Sequence, residues 1–246
     1  VKVISPALTI IMATHMNPLL EEALKSVLAQ TRKDLECVVA DSGLWIGQND
    51  AHSVKRAACH RKYAGHPLIN WVTTGELPGL RKRTCAPSWV ANQVIRAGLV
   101  RGRYACVAYD DDLYKPDFAA KMCGYLDWHP EDMAVTCSQD RTTLHHDGTK
   151  RLDYIIHALP HRQPGNFDCQ MDGSAIVFRR DVLDKLGDPW LPEEQDTCDH
   201  SDGVFLERIA GATGPVPGIG EVLCEHRISP WSAFTWTSPQ GSWVRA

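Results

Sequence analysis

The sequence has no CxxC pair, no apolar run long enough to span a bilayer, and no excess of positive charge. Its nine cysteines are an odd number, scattered from Cys37 to Cys224. Several lie inside apolar runs, LECVVA around Cys37 and YACVAY around Cys106, where a thiol behaves as a small hydrophobe. This pattern argues against a disulfide framework and for a reducing, cytoplasmic setting. The opening residues do not read as a signal peptide, so a soluble protein is expected, one still able to dock peripherally on a membrane. With 26 basic against 30 acidic residues the formal charge is -4. That balance leaves no broad basic surface of the kind that nucleic-acid binding requires. The first apolar run is followed by ATHMNPLL, without a glycine, so no Gly-rich phosphate loop opens the chain. There is no internal repeat and no stretch of linker composition.

What is present is an ordinary globular balance: 246 residues, 43% hydrophobic and 23% charged. That suits a single domain over residues 1–246. Leu8 to Ala13 (LTIIMA), Leu35 to Ala40 (LECVVA) and Tyr104 to Tyr109 (YACVAY) are continuous apolar runs, as expected of strands buried on both faces. Between the first two, Asn17 suits a helix cap and Pro18 a first helical position. Leu20, Ala23, Leu24, Val27 and Leu28 then form one apolar stripe at helical spacing. A basic helix is expected over 51–63, a short strand over 70–73, and a helix from Pro87 to Val100. The alternation implies an α/β fold with a largely parallel sheet and right-handed crossovers. The second half is less regular. A helix is expected over 117–128, loops and short strands over 138–170, and a strand from Ser174 to Phe178. A short helix follows over 181–186, then a helix from Ser201 to Ala210 ended by Gly211.

In an open parallel sheet, ligands bind beyond the carboxyl ends of the strands. Asp41 and the run Asp110-Asp111-Asp112 both stand at such ends. Three adjacent carboxylates repel one another unless a cation or hydrogen-bond donors offset their charge. Hard divalent ions favour oxygen ligands shared with substrate phosphates. The alternative, a solvated acidic turn, is weakened by the buried strand that leads straight into the run. Arg81, Lys82 and Arg83 lie in a Gly/Pro/Arg-rich loop and are placed either to fork onto phosphates or simply to be solvated. His145-His146 and His157…His161 have no accompanying ligands at zinc spacing and read as loop histidines. Trp231 reads as cover for the core edge, and Trp236 and Trp243 are left open between cover and acceptor stacking.

Several segments in order resemble the family 2 glycosyltransferases. LTIIMATHMNPLLEEALKSVLAQTRKDLECVVADSG is similar to the family's opening strand, helix, second strand and acidic turn. ANQVIRAGLVRGRYACVAYDDDLYKPD is similar to the helix and strand that carry the D-x-D motif. DGSAIVFRRDVLDKLG resembles the acceptor-side strand and helix, SDGVFLERIAG the helix of the catalytic acid, and CEHRISP the segment with a metal-binding histidine. The resemblance implies a GT-A fold. Its mostly parallel nucleotide-sugar-binding half would cover about 8–112, a smaller mixed acceptor half about 113–228, and a tail 229–246. It further implies a hexosyltransferase-type enzyme moving a sugar from a nucleotide diphosphate sugar to the hydroxyl of a saccharide, a lipid-linked sugar or a natural product. On these residues Asp41, Asp110, Asp111, Arg81 and Thr14 would bind the donor. Asp112 and His226 would hold Mn²⁺ or Mg²⁺, Gly173 and Ser174 would line the acceptor pocket, and Asp202 would be the general base of an inverting displacement. The D-x-D register stays open: if Tyr109 takes the place of the first aspartate, Asp111 matters more than Asp110. Two other readings remain, a non-catalytic member that binds nucleotide or carbohydrate, and a sugar-nucleotide-forming nucleotidyltransferase. The missing glycine loop weighs against the second.

Overall fold

The computed structural model describes residues 5–14, 17–41, 50–74, 86–158, 171–186, 201–230, 234–236 and 243–245. The first half alternates as its sequence pattern demands: β1 (Leu8–Thr14), α1 (Leu20–Leu28), β2 (Leu35–Asp41), α2 (Asp50–Tyr63), β3 (Ile69–Thr73), α3 (Ala86–Arg96) and β4 (Tyr104–Tyr109). Every residue of β1 and β2 is buried, the condition under which a strand carries an unbroken apolar run. Leu20, Ala23, Leu24 and Val27 are the buried stripe of α1. That helix begins two residues later than Pro18 would place it. Asn17 opens the preceding turn instead, its Oδ1 accepting from the Leu19 N–H at 3.0 Å. At the other side α3 stops at Arg96, short of Val100, because Gly98 takes a left-handed φ of 68°.

β5 (Leu113–Tyr114), α4 (Phe118–Trp128), β6 (Ala134–Leu144), β7 (Lys150–Ile156), a 3-10 turn (Gly173–Ala175), β8 (Ile176–Arg179), α5 (Val182–Leu186), α6 (Ser201–Thr213) and β9 (Gly218–Ile228) follow. A separate pair of strands, β10 (Phe234–Trp236) and β11 (Trp243–Arg245), is antiparallel. The strand expected from Ser174 is therefore split, a 3-10 turn first and β8 after it. The helix α6 runs through Gly211 and ends before Gly214, whose φ of 99° is the left-handed stop. The region expected to be loops and short strands holds instead the 11-residue β6 and its hairpin partner β7. Its polar residues disguised it. Ser138 donates to the Gly220 carbonyl at 3.1 Å and Thr142 to Glu225 at 2.6 Å, so the hydroxyls are satisfied inside the sheet.

The described strands form a nine-stranded sheet in the order β3-β2-β1-β4-β8-β6-β9-β5, with β7 added to β6. β3, β2, β1 and β4 are parallel, in register Thr14↔Asp41 and Ala13↔Tyr109 at their carboxyl ends. β8 enters antiparallel, and β6 and β9 run parallel to each other. The core is continuous through both halves, from Leu8, Ile10 and Ile11 to Phe178, Phe205 and Ile209. Among the described residues no helix is long and apolar enough to cross a membrane.

Candidate active site

The carboxyl ends of β1, β2 and β4 bring together the residues that the sequence placed there. Thr14 donates to Asp110 Oδ2 at 2.6 Å, and the Asn17 backbone N–H reaches the same oxygen at 3.1 Å. The Asn17 side-chain amide lies 3.4 Å from Asp111 Oδ2. Asp110, Asp111, Asp112 and Asp41 are all buried, so the acidic run is not a solvated turn. These donors answer part of the repulsion between neighbouring carboxylates. Asp110 faces β1 and the entry of α1, where Asp41 lies one strand away, and Asp112 turns the opposite way.

Asp112 faces β9. Its Oδ1 accepts from the backbone N–H of Arg227 at 3.2 Å, and His226 Nδ1 lies 3.2 Å from the same oxygen. His226 Nδ1 is also 3.5 Å from Asp172 Oδ2. Neither approach has hydrogen-bond geometry, and Nδ1 and Asp112 Oδ2 are buried with no hydrogen-bond partner among the described residues. Arg227 locks this arrangement: its guanidinium binds the carbonyl of Asp111 and, at 2.6 Å, Glu22 of α1. The sequence-predicted pair Asp112 and His226 is thus brought into contact, although far apart in the chain.

The residues expected on the acceptor side form the adjoining wall. Asp172 accepts from Gln139 Nε2 at 2.8 Å and from Arg141 Nη1 at 3.0 Å. Burial would raise its carboxyl, but the charges of His226 and Arg141 and these hydrogen bonds outweigh burial and lower it. Burial likewise works against a charged His226, and the Asp172 and Asp112 carboxylates reverse the balance and raise it. The next residues, Gly173 and Ser174, make the tight turn into β8, and the Ser174 hydroxyl is buried with no partner among the described residues.

Asp202 stands in the first turn of α6, a helix fixed by Phe205 packing edge-on against Phe178 of β8 at 5.2 Å between ring centroids. A carboxylate in a first helical turn is favoured by the helix dipole. Here it does more than cap. The hydroxyl of Tyr109, the residue immediately before the acidic run, lies 2.7 and 2.8 Å from its two oxygens. Burial, then the nearby Asp172 charge, push the Asp202 carboxyl up to about 6, against the pull of the Tyr109 and Gly173 hydrogen bonds. Perturbed carboxylates of this kind concentrate at functional sites.

Asp112 Oδ2 and His226 Nδ1 are a carboxylate oxygen and an imidazole nitrogen without a hydrogen-bond partner among the described residues, donor types that Mn²⁺ and Mg²⁺ accept, and Asp172 lies beside them. Among the described residues, the ligand-type atoms that lie within 4.8 Å of one another are those of His129, Glu131 and Asp132, on the partly exposed turn after α4. This group is remote in sequence from the strand ends, and His129 there stacks on Tyr125 at 4.3 Å. Arg81, with Lys82, Arg83, His161 and Trp231, lies outside the described residues. Sequence reasoning missed Arg227, Gln139 and Arg141, and it weighed Tyr109 only as a stand-in for a metal-motif aspartate. Arg227 adjoins His226, the one local hint available.

No family model matches the sequence. Solved structures do match the fold. The mannosyltransferase PcManGT from Pyrobaculum calidifontis, in complex with GDP-Man and Mn²⁺, superposes with a TM-score of 0.59 at 20% identity over 91% of this chain. TarS 1-349 from S. aureus superposes with a TM-score of 0.58 at 14% identity over 89% of the chain. The fold is that of the GT-A glycosyltransferases. TarS 1-349 in complex with UDP-GlcNAc gives a TM-score of 0.59 at 12% identity. The chain spans 57% of the PcManGT chain and 60% of the TarS 1-349 chain, about three fifths of either. Within the GT-A fold, the described site lies at the carboxyl ends of the parallel strands and reaches across to β9 and α6.

Proposed function

We propose that this chain is a glycosyltransferase that moves a sugar from a nucleotide diphosphate sugar to an acceptor hydroxyl, with inversion at the anomeric carbon. The observation that carries the reading is the contact between Tyr109 and Asp202. It ties a buried, up-shifted carboxylate on α6 to the strand that delivers Asp110, Asp111 and Asp112. Fold neighbours with GDP-Man and Mn²⁺, and with UDP-GlcNAc, support the same donor chemistry.

In the proposed reaction Asp41, Asp110, Asp111 and Thr14 bind the nucleoside end of the donor, with Arg81 on its phosphates. Asp112 and His226 would hold a divalent ion, which when bound offsets negative charge on the diphosphate. Asp202 accepts the proton of the acceptor hydroxyl as that oxygen bonds to the anomeric carbon. The bond from the anomeric carbon to the diphosphate oxygen breaks, and its electron pair leaves on the diphosphate. A carboxyl near 6 is ionised at neutral pH yet more basic than an ordinary aspartate, the compromise general-base catalysis favours. Gly173 and Ser174 line the acceptor side, where a saccharide, a lipid-linked sugar or a small natural product would enter. Free thiols at six described cysteines accord with a reducing cytoplasm as the setting.

Thermal unfolding with UDP, GDP and dTDP, each with Mn²⁺, Mg²⁺ or chelator, tests the donor site. Ligand at a hundred times its dissociation constant stabilises a fold by about 2.7 kcal/mol. A metal-dependent shift with one nucleotide is expected. No shift with any of them would remove the nucleotide-sugar reading.

A further inference from the structure

We propose that Tyr109 is the positioning residue of the base, its phenol hydroxyl holding the Asp202 carboxylate in the orientation that receives the acceptor proton. The inference rests on the glycosyltransfer reading for what Asp202 does, and on geometry for how Tyr109 acts. Tyr109 closes β4 beside Ala13 of β1, and its side chain reaches an element 93 residues further along the chain. A tyrosine that served only to fill space at a strand end would place its hydroxyl in water or on a backbone carbonyl. This one ends between both oxygens of a single carboxylate, at 2.7 and 2.8 Å.

Gly173 closes another side. A Cβ at that position would stand 3.0 Å from Asp202 Oδ1 and 3.1 Å from the Tyr109 hydroxyl, so a methyl group there would push on the pair by a few tenths of an ångström. The Gly173 backbone also works to lower the Asp202 carboxyl. An ionised carboxylate has about four lone-pair sites. The Tyr109 hydroxyl takes up some of them and leaves the remainder for a proton arriving from an acceptor hydroxyl. The charged groups acting on Asp202 are Asp172, which raises it, and His226, which lowers it. Beyond these stand Arg141, bound to Asp172, and Asp112, beside His226. Burial and the facing Asp202 charge push the Tyr109 phenol well up, so it remains a donor wherever Asp202 is ionised.

Tyr109→Phe keeps the ring and removes the hydroxyl, which frees the carboxylate to rotate and leaves its burial less opposed. The test compares wild type, Tyr109→Phe, Asp202→Asn and the double variant. In the first arm, nucleoside diphosphate release is followed from whichever of UDP-GlcNAc, GDP-mannose or dTDP-glucose the wild type cleaves with Mn²⁺. The expected result is a kcat lowered about ten- to a hundredfold with donor KM within about twofold, and no further loss in the double variant. The second arm needs no substrate: urea unfolding in chelator between about pH 4 and pH 8, read for the titration that Asp202→Asn removes. Its midpoint is expected to move upward in Tyr109→Phe. Wild-type kcat in Tyr109→Phe, an additive loss in the double variant, or an unmoved midpoint overturns the proposal. If the wild type cleaves none of the donors, the glycosyltransfer reading fails separately, and the unfolding arm alone decides whether Tyr109 governs Asp202. Should Tyr109→Phe not fold, Tyr109→Met, which also lacks the hydroxyl, is read by the same criteria.

Discussion

Asp112 accepts a hydrogen bond from the backbone N–H of Arg227 at 3.2 Å, across 115 residues of chain. That contact fastens the acidic run after β4 to β9. It leaves the second oxygen of Asp112 buried and unpartnered among the described residues.

Replacing Asp112 by asparagine therefore separates binding from folding. The amide oxygen still accepts from Arg227, so the fold is expected to survive, while one anionic ligand is lost. The metal-dependent stabilisation by nucleotide, about 2.7 kcal/mol at a hundredfold excess over the dissociation constant, is expected to shrink to near nothing in a thermal scan. An undiminished shift would place the metal elsewhere.

Asp202→Asn is expected to lower kcat by about 10²- to 10⁴-fold, the usual contribution of a general base. Its effect on stability has the opposite sign. The folded carboxyl sits near 6 against an ordinary 3.8, so the protonated form is the one folding favours. That contribution is fully present below about pH 4 and is lost as pH rises through about 6. At neutral pH the asparagine variant is expected to unfold at the same or a higher temperature than wild type. Calorimetry at pH 5 and pH 8 checks the reversal.

For the same reason kcat/KM is expected to fall about tenfold per pH unit below the midpoint near 6. A profile flat down to pH 4 would mean that Asp202 does not accept the proton.

Gly173→Ala inserts a methyl group 3.0 Å from Asp202 Oδ1. Something must give by a few tenths of an ångström, and the atoms met are the ends of two side chains, the Asp202 carboxylate and the Tyr109 hydroxyl. Loss of kcat by about tenfold or more, with donor binding intact, is expected from steady-state kinetics.

Arg227→Met cuts the ties to the Asp111 carbonyl and to Glu22, leaving a buried carbonyl with one donor fewer. The expected cost is about 1–3 kcal/mol in denaturant unfolding, because an unmet buried polar group forfeits its desolvation energy. A cost near zero would show that the Arg227 guanidinium is not needed to hold the acidic run.

The parts of this fold that were legible in the sequence are those whose neighbours are uniform. β1, β2 and β4 are buried on both faces, so LTIIMA, LECVVA and YACVAY announce themselves, and the acidic run after the third marks a strand end. β6 and β9 were not legible as long strands. Gln139, Arg141 and Glu225 face polar partners inside the protein, and such pairs erase the apolar alternation that identifies a strand. The site divides the same way. Asp110, Asp111 and Asp112 are visible as a local run, and His226 is found beside Asp112 as expected. Tyr109's hold on Asp202 depends on where α6 packs, which no short window of sequence contains.

The most direct measurement is nucleoside diphosphate release from a panel of UDP-, GDP- and dTDP-sugars with Mn²⁺ and sugar acceptors, in wild type and Asp202→Asn. The account predicts that one donor is cleaved in a chelator-sensitive way. It also predicts that Asp202→Asn loses about a hundredfold or more of that rate while the donor still raises its unfolding temperature. Equal rates in the two proteins, or a nucleotide that binds while no donor is ever cleaved, would contradict it.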